Sequence, residues 1–400
     1  MAGEEVEVVF EGADGAIRFA SDDLVRDFQR VVHGWPQEHP HIAKDLFADV
    51  RLEGARWSVE ILRPEPRQKS YDPVNGICDL IVELNWSRLR QNTQLMCLHA
   101  AGVDMGQALV VFPSKRRAGK STLTAELARR GHPVFTDDIL AVQLNAKGVA
   151  EGLATGVSPR LRLPLPPDVS PRFADWVAGD TGPANRQYKY LTEAPVASFG
   201  APSPIGAIVT LNRVTEDVPP RFEDINVKDV LPVLIHQNFG RFANSGHILS
   251  ALGAIASDLP CLELTYGNFE TAADFLEAAV QDGLLSVGAI ADTGRKDLPD
   301  FDMTHAPFDA ARRYHRRAGF QCIETGDEAF ISDASGRGIF RMGPGMMPIW
   351  VLLEEPITLM EIVAVMHDIY TEVDSETIKR DVRTGLQKLN KAGLIEAVSD

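Results

Sequence analysis

Ala108-Leu-Val-Val-Phe-Pro-Ser-Lys-Arg-Arg-Ala-Gly-Lys-Ser-Thr-Leu123 runs from an apolar stretch through a basic loop into helix-forming sequence. The run at 108–112 predicts a buried strand, and the helix after the loop carries Leu123 and Leu127 on one face with Arg129 and Arg130 in its last turn. Strand, loop and helix in that order are what a Walker A phosphate loop requires. Backbone amides and the helix N-terminus would cradle phosphate, Lys120 would reach the β- and γ-phosphates, and the Ser121 hydroxyl would ligate Mg²⁺. Ser114 stands where the GxxxxGK[ST] pattern has its first glycine, and Arg117 where a further glycine is common. Both narrow the backbone angles open to the loop. Its amides remain, and Lys115, Arg116 and Arg117 add positive charge. The expected nucleotide-binding stretch is therefore Ser114, Lys115, Arg116, Arg117, Ala118, Gly119, Lys120, Ser121 and Thr122. A basic turn before an ordinary helix is the alternative.

The following segment favours the phosphate loop. Gly131 is placed to end the helix in the left-handed conformation. His132-Pro-Val-Phe-Thr136 then reads as a strand, with Asp137 and Asp138 at its carboxyl end. Ligand sites of parallel α/β sheets lie at that end. A strand–helix–strand unit would bring both carboxylates beside the loop, one to hold Mg²⁺ and the other to accept a proton from an attacking hydroxyl.

Gly119-Lys-Ser-Thr-Leu-Thr-Ala-Glu-Leu-Ala-Arg-Arg-Gly-His132, followed by Thr136-Asp-Asp138, resembles the core of the HPr kinase/phosphorylase family. That family also carries a histidine on the segment leading into the phosphate-loop strand, which Leu98-His99-Ala100-Ala101-Gly102-Val103 matches. On residue type alone His99 reads as a core histidine; the resemblance implies that it is a candidate active-site residue with Asp137 and Asp138. The resemblance implies an ATP- and Mg²⁺-dependent serine kinase, in some members reversible by phosphorolysis. It is close over 98–145 and looser over the rest of the middle region, where Leu259-Pro-Cys-Leu-Glu-Leu-Thr-Tyr266 resembles the end of the kinase core. The Glu-Ile-Arg-Gly signature of the classical enzyme is absent. Arg160-Leu-Arg-Leu and Tyr188-Lys-Tyr-Leu occupy the comparable region, so Arg160, Arg162 and Lys189 are candidate phosphate or substrate contacts, with ordinary solvated charge as the alternative.

Outward from this core, residues 1–95 read as short β-like runs between loops (5–10, 16–19, 57–62), then a helical pattern from Ile77 through Leu89. Five prolines between Leu163 and Ala194 suggest a lid-like loop. Ile205–Leu211 and Cys261–Thr265 read as strands, and Phe269–Val280 as an amphipathic helix. Near the C-terminus, 329–332 and 338–342 are expected to pair as a hairpin. Three helices follow: one begins near Pro348, one behind a capping box of Thr358 and Glu361, and one behind Asp374, with Ile378, Val382, Leu386 and Leu389 in a stripe. Residues 317–398 resemble a PqqD-like domain, the peptide-recognition module of ribosomally made, modified peptides. The resemblance implies that a peptide adds as a strand to the hairpin edge beside the last helix. Lys379, Arg380, Arg383 and Lys391 there could steer an acidic leader, or simply form a solvated face.

The expected organisation is α/β: an N-terminal α+β region (1–97), an HPr-kinase-like P-loop core (98–283), a linker (284–311) and a winged-helix-like PqqD domain (312–400). A formal net charge of −16 disfavours a broad nucleic-acid-binding surface, and with it a DNA-binding regulator. No apolar run suits a membrane span, and the acidic start lacks the positive charge of a secretory signal. The four cysteines, Cys78, Cys97, Cys261 and Cys322, form no CxxC pair and read as inert thiols of a cytoplasmic protein. The leading expectation is a kinase that phosphorylates a serine or other hydroxyl on a peptide or small protein captured by the C-terminal domain. The alternative is a nucleotide-binding peptide chaperone or adaptor without turnover. The family resemblance also admits a homo-oligomer.

Overall fold

The computed structural model describes residues 5–38, 45–106, 108–113, 118–240, 242–285 and 307–398. Within the expected linker, residues 286–306 lie outside the described residues. The chain divides into two compact units. The first comprises Met1–Asn226, His236–Phe242 and Asp258–Ile290, and the second Val227–Ile235, Ala243–Ser257 and Ala291–Asp400.

The first unit opens with a six-stranded sheet in the order Gln37–Glu38, Val6–Phe10, Ala16–Phe19, Leu46–Glu53, Arg56–Ile61, Arg67–Tyr71. Residues 1–95 are not all strand and loop before Ile77: a helix spans Asp22–Val31. Its signal is in the sequence, with two aspartates in the first turn, where they favour the helix dipole. Leu24, Val25, Phe28 and Val31 form the buried stripe. A second helix, Pro73–Gln91, begins where the Asp72 carboxylate accepts the Asn75 N–H at 3.3 Å and proline sits in the first turn. It packs on the sheet over Trp57, and Gly76 is needed there because a Cβ would lie 3.0 Å from that of Trp57.

A nine-stranded sheet follows. Its main path runs Val134–Thr136, Ala101–Asp104, Leu109–Phe112, Pro202–Arg213, Ala150–Leu153, Ile139–Leu144, Met96–His99. Cys261–Tyr266 also pairs with Pro202–Arg213, in parallel, and Arg221–Asp224 pairs with Cys261–Tyr266. The strand after the helix Lys120–Arg129 is therefore not the neighbour of the strand before it. Ala101–Asp104 lies between them, antiparallel to both. Two antiparallel steps leave Leu109–Phe112 and Val134–Thr136 pointing the same way, so their carboxyl ends still meet at one edge of the sheet.

Helix Lys120–Arg129 is locked against helix Phe269–Gln281 by charge as well as apolar packing. Glu126, fully buried, accepts from Arg129 and Arg130, each at 2.7 Å. Arg130 and His132 both reach Glu277, at 2.8 Å. The Arg-Gly-His turn thus has a structural role: Gly131 at φ 99° ends the helix, and its two flanking side chains clamp helix Phe269–Gln281.

The proline-rich stretch from Leu163 to Ala194 is not a loop throughout. It contains the helix Pro171–Gly179, whose Ser170 cap accepts the Phe173 N–H at 3.2 Å, and the strand Tyr188–Tyr190, which pairs with Arg160–Arg162. Buried Phe173, Val177 and Leu191 join the main core. Proline count misled here because prolines at a first turn and in connections do not oppose order.

The second unit contains the expected hairpin, Ala329–Ser332 with Ile339–Met342, joined by Cys322–Glu324 in a three-stranded sheet. Helices Met347–Leu352, Leu359–Ile369 and Ser375–Lys391 follow. The capping box forms: Thr358 Oγ1 accepts the Glu361 N–H at 3.2 Å, and Glu361 accepts the Thr358 N–H at 2.8 Å. Asp374 caps the last helix, and the stripe Ile378, Val382, Leu386, Leu389 packs with Trp350 in one core. Helix Ser245–Asp258 belongs to this unit through its N-terminus, where Ser245 N–H donates to the Gly336 carbonyl at 2.7 Å.

Candidate functional site

Five chain segments converge on one cleft of about 410 Å³ in the first unit. Gly119 enters helix Lys120–Arg129 at φ 94°, as the N-cap residue in the left-handed conformation that favours glycine. That turn sets Lys120, Ser121 and Thr122 on the cleft wall. The strand Val134–Thr136 ends in a bend held by Thr136 Oγ1, which accepts the N–H groups of Asp138 and Ile139 at 3.2 and 3.0 Å. The bend turns Asp137 and Asp138 to the cleft. Ile139 then pairs with His99, so that histidine comes to lie beside Asp138. The fourth segment, from Arg160 to Tyr188, supplies Arg160, Arg162, Pro164, Pro166 and Tyr188.

The side chains within the cleft are paired by charge. His99 Nδ1 lies 3.1 Å from Asp138 Oδ1, and Lys120 Nζ lies 3.6 Å from the same oxygen. Asp137 Oδ2 accepts the Arg160 backbone N–H at 2.9 Å. Burial, and then the neighbouring Asp138 charge, push the Asp137 carboxyl above the ordinary carboxylate range; Arg160 and Lys120 oppose this. Burial lowers the Lys120 pKa, and the two aspartates partly restore it. The Lys120 ammonium is buried and has no hydrogen-bond acceptor among the described residues. A buried donor without an acceptor is costly unless a ligand supplies one, so this ammonium fits an anionic oxygen.

Of the residues expected to act here, His99, Gly119, Lys120, Ser121, Thr122, Asp137, Asp138, Arg160 and Arg162 line the cleft. Ser114, Lys115, Arg116 and Arg117 lie outside the described residues. Ala118 is beside the cleft, its carbonyl accepting the Tyr266 hydroxyl at 3.1 Å. Lys189 does not join the site: its ammonium donates to the Val177 carbonyl at 2.6 Å and pins helix Pro171–Gly179. Alternation along Arg160–Arg162 and Tyr188–Tyr190 settles that difference, because neighbours on a strand face opposite ways.

Several lining residues escaped the sequence reading. Tyr188 stacks under the Arg160 guanidinium at 4.5 Å and accepts from Arg162 at 3.2 Å, so it fixes both cations. Arg213 lines the cleft and pairs with Asp168 at 2.7 Å. Arg213 and Tyr266 both end parallel strands at the carboxyl edge. That position was the available signal, but the expected strands stopped at Leu211 and Thr265, short of it.

Gly119→Ala tests the turn. A Cβ there would lie 2.3 Å from Tyr266 Oη, at a φ costly for any side chain. The variant should lose about 1–2 kcal/mol from φ alone in denaturant unfolding. Adding Tyr266→Phe removes the clashing oxygen and should restore part of the stability. No restoration would show that the contact is not what excludes a side chain.

Residues 329–395 match the family model of coenzyme PQQ synthesis protein D (PqqD). The C-terminal part of the chain is a PqqD-like domain. Among solved structures, the chain is similar to "TbiB1 in Complex with the TbiA(beta) Leader Peptide", at 28% identity over 22% of this chain and 99% of that one, with a TM-score of 0.20. It is also similar to the Hpr(Ser) kinase/phosphatase from Coxiella burnetii, at 14% identity over 47% of this chain and 96% of that one, with a TM-score of 0.25. At TM-scores this low neither similarity assigns a role to a residue here. No curated protein matches the chain. No helix among the described residues is long and apolar enough to cross a membrane.

Proposed function

We propose that this chain is an ATP-dependent kinase that phosphorylates a serine or another hydroxyl on a peptide or small protein recruited by its PqqD-like domain. The observation that carries the reading is Lys120: a buried ammonium at a helix N-terminus, short of an acceptor, facing two carboxylates across one cleft. Helix N-termini bind phosphate through free N–H groups and the helix dipole. Around it, His99, Arg160, Arg162 and Arg213 add cationic or hydrogen-bonding groups suited to phosphate oxygens.

The donor set also fits Mg²⁺. Ser121 and the aspartates offer the hard oxygens this ion takes, usually with several waters retained. When bound, the ion neutralises charge on the transferring phosphate. The two carboxylates divide the remaining work. Asp138, flanked by Lys120 and His99 on the open side of the cleft, is the better placed partner for a cation. Asp137, whose surroundings raise its proton affinity, is the better acceptor for the hydroxyl proton. Tyr188 and the Arg160 amide hold this constellation in place, so catalysis is mostly positioning.

The direct test is phosphate transfer from labelled ATP to peptides encoded beside the gene. Recruitment is best tested by altering the peptide, because a cut at residue 312 would strip helix Ser245–Asp258 of its contact with Gly336. A substrate with its leader attached should turn over at far lower concentration than the same acceptor without it. Tethering supplies an effective concentration in the millimolar range, so the two curves should converge at saturation. Coincident curves would remove recruitment and favour a nucleotide-binding adaptor.

A further inference from the structure

In the second unit a groove of about 410 Å³ lies between helix Met347–Leu352 and helix Leu359–Ile369. Met347, Val351, Leu352, Val365 and Ile369 line it, together with Gly326 and Asp327 from the bend before strand Ala329–Ser332. Val351 and Ile369 are 52% and 54% exposed, so large apolar side chains face water here. These side chains gather in one groove instead of standing singly on the surface, as the apolar part of an interaction site does.

Its charge is one-sided. From Met342 to Ile378 the chain carries seven acidic residues and not one lysine or arginine. Asp327 lines the groove, and Glu355, Asp368 and Glu372 are exposed on or just beyond its two helices, whereas Glu354 is taken up by Arg316 at 3.1 Å. Such a rim repels a second copy of itself and an anionic membrane, and attracts a cationic partner. A groove between two helices also suits an amphipathic helix, which lays its apolar face in and its charges on the rim.

We propose that this groove docks a basic amphipathic peptide segment, with two or more apolar anchors between the helices and lysines or arginines on the acidic rim. The site is separate from the hairpin edge Ile339–Met342 and from the last helix, neither of which contributes a lining residue. It stands whether or not the cleft of the first unit transfers phosphate.

The test uses the full chain and a labelled synthetic helix of leucines and lysines in amphipathic order, read by fluorescence anisotropy. Two controls have the lysines replaced by glutamates or the order scrambled. The lysine peptide should bind, weaken with added salt, and bind at least about tenfold better than either control. Val351→Ser with Ile369→Ser, exposed positions that leave the core intact, should weaken it about tenfold or more. Asp327→Lys with Asp368→Lys should do the same through charge. Lys379→Glu with Arg383→Glu, on the last helix, should leave it unchanged. Absence of binding, equal binding of the glutamate or scrambled peptide, retained affinity in both groove variants, or a comparable loss in the last-helix variant would each overturn the proposal.

Discussion

In Lys120→Ala, phosphate transfer should fall by about 10²–10³-fold or more, the usual loss when one donor aimed at developing charge is removed. The fold should survive. Lys120 Nζ makes no hydrogen bond among the described residues, and its closest charge partner, Asp138 at 3.6 Å, retains His99 at 3.1 Å. Removing the ammonium also removes the cost of burying it. Unfolding should therefore occur at or above the wild-type denaturant midpoint, while calorimetry shows weakened ATP–Mg²⁺ binding. Wild-type nucleotide affinity in this variant would disprove the phosphate role of the turn at Gly119–Thr122, whatever became of activity.

Replacement of either aspartate by asparagine should cost about 10²–10⁴-fold in turnover, the range for loss of a positioned proton acceptor. The two variants should differ in what else changes. Asp138→Asn removes the anion that Lys120 and His99 share, so the apparent Mg²⁺ requirement should rise. In Asp137→Asn the amide oxygen can still accept the Arg160 N–H, so Mg²⁺ and ATP binding should hold while kcat falls. Both substitutions preserve shape, and Asp137→Asn also removes a buried charge, so neither should unfold the chain. Full activity in one variant would exclude that residue from the chemistry, and exchange of the two phenotypes would reverse the assigned roles.

Much of this site was legible in the sequence because its signals are local. Gly119-Lys-Ser-Thr is a turn and a helix start within four residues, and Asp137-Asp138 follows a strand whose end is marked by Thr136. Such features depend on backbone angles, caps and hydrophobic period, which neighbours along the chain set. For the same reason the hairpin, the Thr358–Glu361 capping box and the last helix of the second unit were placed well. The missed helix Asp22–Val31 was equally local: its buried stripe was there to be counted.

Tertiary structure alone decided what depends on pairing between distant segments. The insertion of Ala101–Asp104 between two strands of the core is a choice of hydrogen-bonding partner, and no local preference encodes it. Register with Ile139 gave His99 its place beside Asp138, across about forty residues of chain. The Tyr188 shelf under Arg160 and Arg162, the turning away of Lys189, and Arg213 at a strand end likewise arise from sheet geometry. Sequence determined which groups could do phosphate chemistry, because residue type sets charge and donor capacity. Their burial and separation, which give those charges their strength, came from the packing of segments far apart in the chain.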